Sequence, residues 1–260
     1  VWKDDVSGVI YIDDFYTGVD SYTEGEYRND KVYELASGKV SLERHTDAKR
    51  RFEQNIQYVA GKKVLDFGCG DGDFLKLIES HCENVTGVEL QTSYVTALND
   101  LGIECFTHLD AIPDKQIDTC TSFHVIEHLP DPVEILSEIR KKMASNGTLI
   151  IEVPHANDFL LSTANVESFK QFTLWSQHLV LHTRESLKRI LLASGFSDVV
   201  ITGVQRYSLS NHLNWLINDK PGGQKTSLSA LDTAGLVDQY AEALGRIDGT
   251  DTLVAVAKKS

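Results

Sequence analysis

Val64-Leu65-Asp66-Phe67-Gly68-Cys69-Gly70-Asp71-Gly72-Asp73-Phe74 carries a short apolar run into a glycine turn and out into a helical period. In a doubly wound sheet such a turn lies at the carboxyl end of the first strand, where ligands bind. Glycine there lets the backbone approach a ligand closely. A dinucleotide needs G-x-G-x-x-G, so that its pyrophosphate rests on the helix N-terminus. Here the spacing is G-x-G-x-G, and Asp73 stands at the third glycine position. Asp66, Asp71 and Asp73 put three carboxylates around the turn. Like charges about 4 Å apart repel by about 1 kcal/mol in water and about 4 kcal/mol at an effective dielectric of about 20. That opposes a diphosphate and suits a ligand carrying an ammonium and a sulfonium.

Two further acceptors follow. Glu89 ends the second apolar run, where an acidic residue about 20 positions past the turn can accept both ribose hydroxyls. Asp110, in Leu109-Asp110-Ala111-Ile112, can accept from an exocyclic amino group such as that of adenine. Together with the cation-friendly turn, these acceptors describe S-adenosylmethionine, with S-adenosylhomocysteine as its product.

Around the turn, strand and helix signals alternate. Apolar runs at Lys63–Phe67 and Val85–Leu90 and further strands at Ile103–Phe106, Ile117–Phe123 and Thr148–Val153 are separated by helical periods at Phe74–Ser80, Thr92–Leu101 and Asp131–Met143. That alternation predicts βαβ units and a parallel sheet. Thr183–Ala193 reads as a helix with Thr183 as N-cap, Ser186 at N3 and Gly195 just past its end. Val199–Val204 and Thr252–Ala257 are the sixth and seventh strands. Residues 1–60 form a Tyr-rich arm and helical cap, with an amphipathic helix over 41–60 on Phe52, Ile56 and Val59. Residues 61–260 form the main domain, with insertions at 155–182 and 205–250. Both are too long for plain connectors, so they are expected to build the substrate site.

Asp66-Phe67-Gly68-Cys69-Gly70-Asp71-Gly72, Gly87-Val88-Glu89, Phe123-His124-Val125-Ile126-Glu127-His128-Leu129-Pro130-Asp131-Pro132 and Asn146-Gly147-Thr148-Leu149-Ile150-Ile151 stand in a telling order. In order and spacing the chain resembles the class I S-adenosylmethionine-dependent methyltransferases over about 60–195, and more loosely over 196–204 and 252–258. The resemblance implies an α/β, Rossmann-like doubly wound sheet of seven strands with the last antiparallel. It implies that Asp66, Gly68, Cys69 and Gly70 cradle the methionine part, with Glu89 and its neighbour Leu90 at the ribose. Asp110 and Ala111 then lie near the adenine, and Phe123 completes the crevice. In the wider family an aromatic or basic residue near the position of Tyr27 and Arg28 touches the methionine carboxylate, so Tyr27 joins the cofactor set.

The terminal regions resemble a bacterial branch acting on sugars and on capsule or lipopolysaccharide precursors. The residues that carry this are Gly8-Val9-Ile10-Tyr11-Ile12-Asp13-Asp14-Phe15-Tyr16, Gln177-His178-Leu179 and Gln205-Arg206-Tyr207-Ser208-Leu209-Ser210-Asn211-His212-Leu213.

Composition narrows the partners. The 260 residues are 42% hydrophobic, enough for a sizeable core and against dominant disorder. The formal net charge of −13 repels phosphate backbones, so a general nucleic-acid binder is not expected. No window approaches the length of an apolar membrane span. Cys69, Cys82, Cys105 and Cys120 show no C-x-x-C spacing and read as reduced thiols of a cytoplasmic protein. The first residues show no secretory signal. Val1 in place of an initiator methionine suggests a chain that begins inside its gene product.

Methyl transfer to a hydroxyl calls for proximity, orientation and a base with a pKa near 7, for which histidine is the simplest fit. His178, in the first insertion, His155, which opens it just after the fifth strand and Pro154, and His128, in the loop after the fourth strand, are the candidates. Each also has a packing role open to it, as a buried imidazole satisfied by backbone. His124 and His128 flank Glu127, yet the metalloprotease order is absent and no metal is expected. Arg206, Tyr207, Asn211 and His212 form a polar cluster suited to a phosphate or sugar, where Arg pairs bidentately with an anion.

The sequence thus points to methyl transfer from S-adenosylmethionine to a small polar acceptor, expected to be a hydroxyl of a sugar, sugar nucleotide or surface-glycan precursor. A quinone, polyketide or amine acceptor, a catalytically silent cofactor-binding subunit, and an NAD-dependent dehydrogenase are the competing readings. Monomer and homodimer both stay open.

Overall fold

The computed structural model describes residues 1–12, 42–174 and 178–260, with the backbone alone for 42–44. Strands β3 (Lys63–Phe67), β4 (Asn84–Val88), β5 (Glu104–Phe106), β6 (Ile117–Phe123), β7 (Met143–Pro154), β9 (Phe196–Val204) and β10 (Thr252–Lys259) form one sheet. Its order is β5-β4-β3-β6-β7-β10-β9. The first five strands pair in parallel, and β10 runs antiparallel to both neighbours, as the resemblance implied. Strand order reverses between β3 and β6, which opens a crevice at their carboxyl ends.

The parallel strands are covered on both faces; in β6 the buried positions include Thr119, Thr121 and Ser122 beside Ile117 and Cys120. Successive residues of β3 serve opposite faces. Leu65 joins a core with Leu149, Ile151, Leu187, Leu191 and Leu253. Val64 joins another with Phe74, Leu75, Ile78, Val85 and Leu98. Helix α1 (Leu42–Val59) brings Phe52, Ile56 and Val59 to this second core, beside α2 (Asp73–Ile78) and α3 (Thr92–Asp100). Helix α4 (Pro132–Lys142) starts on Asp131, whose Oδ1 accepts the Glu134 N–H at 2.9 Å, with Pro132 at its first position. Such a cap is worth about 1 kcal/mol.

The two insertions are folded. The first holds α5 (Phe159–Ser162), α6 (Glu167–Thr173) and β8 (Val180–Leu181), and ends at α7 (Arg184–Ala193). The capping box of Thr183 and Ser186 fixes where α7 begins. The second holds α8 (Leu209–Asn218), two single-turn segments, and α9 (Ala234–Arg246). Strands β1 (Trp2–Lys3) and β2 (Ile10–Tyr11) pair in turn onto β8, so the chain start is sewn to the first insertion. A third core of Ile10, Leu160, Leu161, Phe169, Leu181 and Trp215 binds β2, the first insertion and α8 together. Tyr16, Tyr22, Tyr27, Arg28, Tyr33, Trp175 and Gln177 lie outside the described residues.

Candidate active site

The glycine turn occupies the crevice between β3 and β6. Gly68 has φ +75°, and a Cβ there would stand 2.3 Å from Val125 Cγ2, so the position admits only glycine. The Gly68 and Cys69 amides donate to the Val88 carbonyl at 2.7 and 3.2 Å. Glu89 extends past β4 and clamps the turn from the other side. Its Oε2 accepts the Gly70 N–H at 2.9 Å, and its Oε1 accepts the Gln91 N–H at 3.0 Å. Asp66 is buried and accepts the Thr121 hydroxyl at 2.6 Å. Burial pushes its carboxyl up to about 6, against the lowering by that hydroxyl.

Two cavities open from this turn. The larger, about 580 Å³, is lined by Glu89, Leu90, Tyr94, Asp110, Leu129 and Ile135 among others. Its mix of apolar walls and a few aimed carboxylates is that of a small-molecule site and suits a nucleoside. The smaller, about 390 Å³, is lined by Asp66, Gly68, Cys69, Gly70, Asp71 and Asp73 at one end. At the other end stand Asp158, Leu161, Phe169, Phe172, His178, Arg206 and Tyr207. Gly68, Phe123, His124 and His128 line both cavities, so the two meet there. Thus Asp66, Gly68, Cys69, Gly70, Glu89, Leu90, Asp110 and Phe123 of the expected cofactor set border the joined cavities. Ala111 is solvent-exposed and borders neither, because the single turn over Leu109–Ala111 aims Asp110 inward instead.

The residues fit the expected cofactor on a second ground, which the sequence reading missed. Arg51 of α1 lines the smaller cavity beside the glycine turn. Its Nε and Nη2 donate to Glu152 Oε1 at 3.1 and 2.7 Å, and its guanidinium lies 4.6 Å over the Phe123 ring. Its Nη1 makes no hydrogen bond among the described residues, which leaves a fixed cation for a carboxylate at the turn. Asp47, Arg50 and Arg51 share one face of α1 by their spacing of three and four, a signal the sequence did contain.

Glu152 sits at the end of β7 and also takes both of its contacts with Arg50 Nη2 at 2.9 Å. Burial would raise this carboxyl; Arg51, His124 and Arg50 together outweigh it and hold Glu152 well below the carboxylate range. Arg206 reaches across from the second insertion to bind Asp47 through Nε and Nη2. Its Nη1 lies 2.8 Å from His124 Nε2. The same Nε2 lies 3.1 Å from Glu152 Oε1, and Nδ1 lies 3.3 Å from Glu127 Oε1, so the His124 ring sits between two carboxylates and a guanidinium.

Of the expected bases, His178 lines the acceptor end, with Nδ1 donating to the Thr173 carbonyl at 2.8 Å. That tautomer leaves Nε2 with a lone pair. Burial lowers the His178 pKa, and Glu127 opposes the shift. His128 packs its ring 5.1 Å from the His178 ring. Burial alone would raise Glu127, but His124 and His128 bring it down to about 2; its Oε2 has no partner among the described residues. Glu127, His128 and His178 each bring one potential ligand atom within 4.8 Å of the others, a grouping that the H-x-x-E-H reading of the sequence did not anticipate.

His155 lies at the ligand edge of the sheet, as expected. It touches the smaller cavity but is fully buried, with Nδ1 3.0 Å from the Thr250 carbonyl and Nε2 3.7 Å from Asp248 Oδ2. It is the backbone-held imidazole of the packing alternative. Asn211 and His212 are buried and line neither cavity. Asn211 Oδ1 accepts the Gly222 N–H, while His212 bonds Tyr240 Oη at 2.7 Å and stacks on Phe159. They hold the second insertion together, because α8 turns that face inward. Asp158 and Asp251, which the sequence reading passed over, do line the acceptor end. Burial, helped by Asp251, pushes Asp158 up to about 7.

Residues 42–200 match the methyltransferase-domain family. A ubiquinone biosynthesis O-methyltransferase of Psychrobacter arcticus is 25% identical over 174 residues, which are 61% of this chain and 67% of that protein. The protein of the same name from Idiomarina loihiensis is 27% identical over 180 residues, 63% of this chain and 69% of its own. The crystal structure of a SAM-dependent methyltransferase from Archaeoglobus fulgidus superposes with a TM-score of 0.59 at 23% identity, covering 88% of this chain and 98% of that one, a likeness of fold. The chain belongs to the methyltransferase-domain family and is a class I S-adenosylmethionine-dependent methyltransferase.

Proposed function

We propose that this enzyme methylates a hydroxyl on an aromatic, quinol-type ring. One observation carries the reading: the acceptor end of the smaller cavity faces Phe123, Leu161, Phe169 and Phe172 toward a polar wall of His178, His128 and Asp158. A ring can lie on the aromatic side while its hydroxyl meets the imidazoles. The named relatives, both ubiquinone biosynthesis O-methyltransferases, support the same acceptor class. The sugar and surface-glycan reading loses its support, since Arg206 is taken up by Asp47 and Asn211 and His212 are turned inward.

S-adenosylmethionine supplies the activated methyl. Glu89 would accept from the ribose hydroxyls, Asp110 from the adenine amino group, and Arg51 Nη1 would donate to the methionine carboxylate. Asp66 and the carboxylates of the turn favour the cationic end of the ligand. His178 takes the proton of the acceptor hydroxyl on Nε2, with Nδ1–H held on Thr173. Glu127, kept ionised beside the two imidazoles, stabilises the imidazolium that results.

The test is a methylation assay with S-adenosylmethionine and paired acceptors, read by mass. A catechol or quinol should gain one methyl at oxygen, whereas hexoses and sugar nucleotides should not. Methylation of the sugars alone would refute the acceptor class, and no turnover with any acceptor would favour a silent cofactor-binding protein.

A further inference from the structure

Cys69 lies in the glycine turn, and Cys105 lies on β5, two strands away from β3. Their sulfurs are nonetheless 3.8 Å apart. The reason is Gly87, which pairs with Cys105 in the β4–β5 register. A Cβ at Gly87 would stand 2.7 Å from Cys69 Sγ and 3.0 Å from Cys105 Sγ. The missing side chain clears the space over β4 in which the two thiols meet. Cys69 also lines the smaller cavity, so a small oxidant can reach it from the cofactor crevice. Cys120 is buried and Cys82 is on the far side of the sheet edge from the turn, each without a sulfur partner among the described residues.

We infer that Cys69 and Cys105 form a reversible disulfide when a hydroperoxide enters the empty crevice, and that this bond shuts the cofactor site. The inference rests on the crevice being the cofactor's. Closing 3.8 Å to the S–S length of about 2.05 Å must draw Cys69 toward β5. Cys69 stands between Gly68 and Gly70, whose amides are held by Val88 and Glu89. Any pull on it shifts the backbone that cradles the methionine end and the carboxylate that meets the ribose.

The chemistry balances with hydrogen peroxide as the oxidant. The Cys69 thiol sulfur attacks one peroxide oxygen, the O–O bond breaks, and the thiol proton passes to the departing hydroxide, which leaves as water. Cys69 is then a sulfenic acid. The Cys105 thiolate attacks that sulfur, the S–O bond breaks, and a second water leaves with the Cys105 proton. Two thiols give up two electrons and one peroxide receives them. The hydrogen bond between the two thiols, helped by burial, raises the Cys69 pKa, so Cys69 reacts as the thiol and gives up its proton within the step; the same bond lowers the Cys105 pKa, which suits Cys105 to the resolving step.

The experiment treats the full chain with peroxide, maps peptides without reductant, and measures S-adenosylhomocysteine binding by calorimetry. A Cys69–Cys105 cross-link, two mass units lighter, should appear, and the dissociation constant should rise at least ten-fold and recover with dithiothreitol. Saturating S-adenosylhomocysteine should slow cross-linking at least ten-fold. Cys105→Ser, or Cys105→Ala if the serine unfolds the strand, should bind normally before treatment and lose the reversible effect. A cross-linked protein that binds as tightly as the reduced one, or no cross-link at all, overturns the inference. Failure of the reduced protein to bind would instead remove the cofactor reading on which it stands.

Discussion

Glu89→Ala should cost the enzyme its cofactor affinity out of proportion to its fold. The carboxylate has two separable tasks. Within the protein it accepts the Gly70 and Gln91 amides at 2.9 and 3.0 Å. At the ligand it has lone pairs left for two ribose hydroxyls. Hydrogen bonds to a charged group contribute about 1.5–3 kcal/mol each, so two ribose contacts amount to about 3–6 kcal/mol before water refills the gap. With about half recovered by water, a 10- to 100-fold weaker dissociation constant is expected, or about 1.4–2.8 kcal/mol. The two freed amides lie where water can reach them, because Glu89 is only half-buried, so the melting temperature should fall by a few degrees at most. Glu89→Gln keeps one acceptor oxygen and should fall between. Calorimetry with S-adenosylhomocysteine, paired with thermal melts, separates the two tasks. Binding within two-fold of the parent would refute the ribose role, and a collapse of the fold would show that clamping the turn is its main work.

Other outcomes follow from the same geometry. Arg51→Met should weaken S-adenosylhomocysteine binding about ten-fold while adenosine binding holds, because only the former has the amino-acid carboxylate; equal losses for both would deny Arg51 that contact. His178→Ala should lower kcat by about 10²–10⁴ with cofactor affinity intact. In the parent, the acid limb of kcat should fall below pH 6.5, since burial lowers the His178 pKa, and the variant should lack that limb; an unchanged profile would point to another base. His182 is buried, and its pKa is lowered to about 4. The unfolded chain therefore binds the proton first as pH falls, and stability present above pH 6.5 is lost between 6.5 and 4, by up to about 3 kcal/mol. His182→Gln should flatten that decline relative to the parent in denaturant titrations; parallel curves would exclude His182 as its source.

The legible part of this molecule was the part governed by local pattern. The turn, Lys63–Phe67 and Ile117–Phe123 could be placed to the residue because the glycines end the first strand and short runs rich in apolar and β-branched residues stand between helical periods. Thr183 and Ser186 marked the start of α7 because capping is a contact within one turn. What pattern could not show was which polar residue turns inward. Asn211 and His212 look like a surface cluster in sequence, yet α8 buries that face against Phe159 and Tyr240. Arg51 and Glu152 are about a hundred positions apart and meet only because α1 crosses the end of β7. The aromatic wall likewise joins Phe123 to Leu161, Phe169 and Phe172 across two segments, so the acceptor class was the least readable feature. His155 lies at the ligand edge and touches the smaller cavity, while its contacts with Thr250 and Asp248 join segments about a hundred positions apart that no local pattern links.

The central claim is that a crevice rimmed by Asp66, Asp71, Glu89 and Asp110 holds a positively charged methyl donor. Titration of the reduced chain with S-adenosylmethionine and, separately, with NAD in one calorimeter tests it most directly. The account predicts saturable one-to-one binding of the sulfonium compound and no measurable heat of binding from the dinucleotide. Saturable NAD binding without any response to S-adenosylmethionine would contradict it.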